Sequence, residues 1–113
     1  MKRTKQQVIK LYESLGLSEY TKGVNIEIQA VIFYGAEKCE GVYYNKYGAN
    51  KAPAIIVRPI KNRDEFEFVC LHELGHHIHH TFMPNCTKGW SKSTRESFAN
   101  RFAAGEYKRF SNN

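Results

Sequence analysis

The chain has 113 residues, a formal charge of +6 and a pI near 9.3, with 42% hydrophobic residues, seven Tyr, seven Phe and one Trp. That composition excludes a disordered chain and fits one packed domain spanning residues 1–113. The basic residues are dispersed, with no run of five or six like charges, so a generally basic surface is expected, without direct nucleic-acid binding.

Cys39, Cys70 and Cys86 form no CxxC pair, and an odd count argues against a disulfide framework. The stretch "MKRTKQQVIKLYESLGLSEY" has basic residues but no apolar signal-peptide core. No apolar run approaches the roughly 20 residues that span a bilayer. These features predict a cytoplasmic protein with no membrane partner.

Val8, Ile9, Leu11, Tyr12 and Leu15 recur at helical spacing and Gly16 stands where a helix stops, which predicts a first helix from Lys5 to Leu15. The middle reads as sheet. "EIQAVIFYG", "GVYYNKY" and "PAIIVRP" are β-rich runs separated by turn residues such as "GANK". They predict a small antiparallel meander. After Pro59 the period changes. Asn62 with Glu65 three residues on resembles a capping box that opens a helix to about His80, and Pro84 closes it. The segment "MPNCTKGWSK" is predicted as a loop. Ser93 and Glu96 are again spaced as a capping box before a last helix, "RESFANRFAAGEYKRF". The order predicts an α+β domain.

Chemistry concentrates in "LHELGHHIHH", where all five histidines fall together. Positions four apart on a helix share a face with Cβ atoms roughly 5–6 Å apart. His72 and His76 therefore project side by side, and Glu73 lies beside that face, where it reaches a water on a metal. Leu71, Leu74, Ile78 and Phe82 fall on the opposite side and are expected to anchor the helix in the core. This is H-E-x-x-H, the zinc-hydrolase signature. A solvated His-rich helix end would carry the same five letters, so the pentapeptide alone does not decide.

Catalytic zinc takes three protein ligands and keeps one position open. His79, His80, Cys86 and Glu96 are the candidates for the third. His79 and His80 share the helix of His76 and splay poorly around a tetrahedral ion; Cys86 has no local motif. Glu96 follows a loop long enough to return a second helix alongside the first. Its competing role is to cap its own helix with Ser93.

"HELGH" followed after about 20 residues by "ESFANRFAA", a match to E-x-x-A-N-x-F-A, resembles the ImmA/IrrE family of zinc metallopeptidases, and "GVYYN" and "AIIV" resemble that family's strands. The resemblance covers roughly residues 41–104. It implies a small zincin-like domain: an N-terminal helix, a short antiparallel sheet, the HExxH helix and a C-terminal helix bearing the third ligand. It implies one Zn2+ held by His72, His76 and Glu96, Glu73 as the catalytic residue, and Asn100 as a supporting residue that orients a ligand. It also implies an endopeptidase that cleaves a protein partner, a repressor or regulator of a mobile element. Tyr43, Tyr44, Tyr47, His79, His80 and Arg95 are candidate donors to the oxyanion. The rival readings are a zinc-supported binding module that hydrolyses nothing, and a hydrolase of small molecules or peptide amides.

Overall fold

A computed structural model describes the backbone of residues 2–111 and the side chains as far as Lys108. The first helix, α1, runs Lys5–Ser14 and opens on a capping box in which Thr4 and Gln7 satisfy each other's backbone N–H. A single 3-10 turn at Ser18–Tyr20 leads into the strands β1 (Asn25–Ile28), β2 (Ile32–Tyr34), β3 (Glu37–Cys39), β4 (Gly41–Tyr47) and β5 (Ala52–Val57). Three helices follow: α2 (Arg63–Phe82), the short α3 (Pro84–Thr87) and α4 (Lys92–Ser111). The architecture is α+β. Among the described residues no helix is long and apolar enough to cross a membrane.

The sheet differs from a simple meander. Its order is β1-β5-β4, with β4 antiparallel to β5 but β1 parallel to it. The run "EIQAVIFYG" is split: Ile28 ends β1, and Ile32–Tyr34 turns back on Glu37–Cys39 as a separate antiparallel hairpin. The reason lies in β5. Ala54, Ile55, Ile56 and Val57 are buried in succession, which a central strand covered on both faces requires. Such a strand needs a neighbour on each edge, and β1 supplies the second. Pro53 has no N–H to give to the ladder, and the β4–β5 register is irregular between Tyr44 and Tyr47, opposite it.

One face of the sheet carries the main core. Val8, Leu11 and Tyr12 from α1, Ile55 and Val57 from β5, and Phe66, Cys70, Leu71, Leu74 and Ile78 from α2 close on one another. On the opposite face Val42, Ala54 and Ile56 cluster with Ile32 of the β2–β3 hairpin, and Tyr44 and Tyr47 of β4 pack alongside. Leu71, Leu74 and Ile78 anchor α2 as their spacing predicts. Phe82 does not: it is half exposed. It is the last residue of α2, at the end of the helix, and meets the Tyr20 ring edge-on at 5.0 Å.

Asn62 caps α2 as expected, accepting from the Glu65 N–H. The start of α4 is a correction. Ser91, not Ser93, supplies the capping oxygen, accepting from the Thr94 N–H at 3.1 Å. That leaves the Glu96 carboxylate free of a capping duty. The predicted loop between the last two helices also contains α3, which opens on Pro84, a residue suited to a first helical turn.

Candidate metal centre

Helix α2 lies under β4 and β5, and α4 crosses it. The crossing is close because both helices offer small residues. A Cβ on Gly75 would stand 3.0 Å from the Ala99 Cα, and Ala99 and Ala103 are fully buried. This contact brings the first turns of α4, with Glu96, over the histidine face of α2.

Three donor groups then meet. His72 Nε2 and His76 Nε2 are 3.1 Å apart. Glu96 Oε1 is 3.4 Å from His72 Nε2, and Glu96 Oε2 is 2.5 Å from His76 Nε2. Donors held at roughly 2.0–2.1 Å by one tetrahedral ion sit roughly 3.3 Å apart. The His72–His76 and His72–Glu96 separations are at the spacing that one cation needs, Glu96 and His76 stand closer than that, and two nitrogens with one oxygen are a donor set that suits zinc. His72, Glu73 and His76 also bring ligand atoms within 4.8 Å of one another, so a His-Glu-His group can hold a metal ion.

The electrostatics match. Burial lowers the His76 pKa to about 4 against an opposing pull from Glu96, so the ring is neutral near pH 7, the form that ligates a metal. Glu73 is buried under the start of β4, and burial, followed by repulsion from Glu96, raises its carboxyl to about 8. A carboxyl with a pKa near neutrality can both take up and release a proton there, as acid–base catalysis requires. Its position depends on Gly41. A Cβ there would lie 2.7 Å from Val69 Cγ1 and 3.2 Å from both Glu73 Cγ and Oε2.

These groups line a cleft of about 480 Å³ walled by Gly41, Val42, Tyr43 and Asn45 of β4 on one side and Lys92, Arg95 and Glu96 of α4 on the other. Of the candidate oxyanion donors, Tyr43, His79, His80 and Arg95 line this cleft. The Tyr43 hydroxyl is 2.8 Å from His77 Nδ1, and His80 Nε2 is 3.2 Å from the Asn45 amide. Tyr44 and Tyr47 stack on each other at 5.3 Å and pack on the second core cluster instead. Cys86 sits exposed on α3, outside the cleft-lining residues, as does Asn100, exposed one turn beyond Glu96. A contact that sequence reading left unassigned joins His79 to His76: their Nε2 and Nδ1 atoms are 2.9 Å apart. The three-residue spacing of these histidines was the available signal.

The family model of the IrrE N-terminal-like domain (Peptidase_M78) matches residues 28–107. The chain belongs to this family, whose members are metallopeptidase-like. Neither a curated protein nor a solved structure gives a significant match.

Proposed function

We propose that the chain is a zinc-dependent endopeptidase that cleaves one protein partner, a repressor or regulator of a mobile element. The observation that carries this reading is the convergence of His72, His76 and Glu96 beside a buried Glu73 in one cleft. His72, His76 and Glu96 would hold the ion. When bound, zinc supplies a Lewis acid and lowers the pKa of its water to about 7 from 15.7.

The chain's own groups do the rest. Glu73 takes the proton of the attacking water and returns it to the leaving amine, which is general base followed by general acid catalysis by one carboxyl. The wall formed by Gly41 and Val69 keeps that carboxyl buried and aimed. β4 is an outer strand of its sheet, and its residues line the cleft. An extended peptide can pair with that edge, which orients a scissile bond by main-chain hydrogen bonds and selects flexible segments of a protein. A structural zinc site fills all four positions with side chains and needs no adjacent base, so an aimed Glu73 supports hydrolysis over mere binding.

The experiment is incubation of wild-type protein and Glu73→Gln with a candidate regulator substrate, the first choice being any helix-turn-helix repressor found encoded beside it. Cleavage by the wild type, lost by at least about 100-fold in the variant, is the expected result. Equal cleavage by both would remove Glu73 from the chemistry. Tight association without any product would favour the binding module.

A further inference from the structure

We propose that His79 is a positioning residue that fixes the ring of His76 for metal binding through an imidazole–imidazole hydrogen bond. The inference rests on the reading of His72, His76 and Glu96 as ligands, and goes beyond it to a residue outside that set. A metal-binding histidine has two nitrogens, and the one turned away from the ion usually donates to a carboxylate, a carbonyl or water, which fixes tautomer and ring angle. Here His76 Nε2 faces His72 and Glu96, and His76 Nδ1 faces His79 Nε2 at 2.9 Å. With Nε2 facing the ion, Nδ1 must carry the proton, so His76 donates and His79 accepts.

His79 is itself held in place. Its ring is buried, edge-on to Phe98 of α4 at 5.7 Å and tilted against Trp90 at 6.0 Å, and Trp90 and Phe98 contact each other at 5.7 Å. Its carbonyl accepts from the Thr87 hydroxyl at 3.2 Å. The segment joining α3 to α4 and the first turns of α4 thus set the His79 ring, and that ring sets His76. Glu96 and the His79 box ride on the same helix, so one docking event delivers the third donor and the support for the second.

The test compares wild type, His79→Leu and His79→Gln for zinc affinity by competition with a chromogenic chelator, alongside melting of the metal-free proteins. The apolar box accepts leucine, so His79→Leu is expected to keep the metal-free melting temperature and to bind zinc 10–100-fold more weakly. His79→Gln, whose amide oxygen can accept from His76 Nδ1, is expected to recover part of that loss. Long-range 1H–15N NMR of zinc-loaded wild type should show a His76 Nδ1 proton protected from exchange. That signature holds even where a variant fails to fold. Zinc affinity in His79→Leu equal to wild type, or a His76 ring without that proton, overturns the assignment while leaving the ligand set standing. Wild-type protein that binds no zinc overturns both.

Discussion

Gly75 of α2 and Ala99 of α4 form the point on which the site turns. A Cβ on Gly75 would be 3.0 Å from the Ala99 Cα and 3.3 Å from Phe102 Cδ2. The first is backbone and cannot rotate aside. A larger residue must move α4, and with it Glu96. Glycine inside a helix costs roughly 1 kcal/mol relative to alanine, so close approach is the gain that offsets it. Gly75→Val is expected to lose about 1–3 kcal/mol of stability through overpacking and at least about ten-fold in zinc affinity. Urea melts and chelator competition on the same preparations check both.

Gly41 offers a different perturbation of the same cleft. Its missing Cβ leaves the space that Val69 and the Glu73 carboxylate occupy. Gly41→Ala therefore displaces Glu73 but touches none of His72, His76 or Glu96. The expected outcome is a fall in kcat of about ten-fold or more with zinc stoichiometry unchanged, since misplacing a reacting group by about 1 Å can cost 100-fold. Loss of zinc instead would mean that β4 holds the ligands too.

How much of this was legible in the sequence differs by element. The α2 helix was, because Asn62 supplies a cap, Leu71 and Leu74 a buried stripe, and His72 and His76 a shared face, all of them local relations. The pairing of β1 with β5 was not. It depends on which edge of a doubly buried strand is left uncovered, a long-range fact, and the continuous apolar look of "EIQAVIFYG" hid the break after Ile28. The start of α4 was misread for a local reason: the three-residue spacing of Ser93 and Glu96 mimics a capping box, whereas Ser91 accepts from the Thr94 N–H and Glu96 faces His72 and His76 instead. The α1 capping box at Thr4 and Gln7 went unread, although its three-residue spacing is a local signal. His79 was half legible: its three-residue spacing from His76 puts both rings on one helix face, but its packing against Trp90 and Phe98 required the fold.

Tyr12 gives a prediction for the scaffold. Its hydroxyl is fully buried and donates to the Cys70 carbonyl at 2.6 Å, tying α1 to the helix that carries the site. Tyr12→Phe is expected to cost about 1–2 kcal/mol, the loss of a buried hydrogen bond, read by urea unfolding at pH 7.5.

The same residue sets an alkaline limit. Burial, followed by the Cys70 thiol and the Glu73 carboxyl, raises the Tyr12 pKa well above 10.0. In the unfolded chain the phenol ionises near its ordinary value of about 10. Above that pH the folded state holds a proton that the unfolded state has lost, so stability falls as pH rises past about 10. The difference in unfolding free energy between wild type and Tyr12→Phe is expected to shrink from pH 9 to pH 11. A constant difference would mean that this phenol is not what titrates.

The account depends on α4 delivering a carboxylate to two imidazoles of α2. Metal analysis of wild type beside Glu96→Ala, each dialysed against a chelator of graded strength, tests that most directly. The expected result is one tightly bound zinc per wild-type chain, with affinity in Glu96→Ala weakened by at least about 100-fold while the metal-free fold persists. Stoichiometric zinc held as tightly by Glu96→Ala as by wild type would contradict it, and would move the third ligand to another residue.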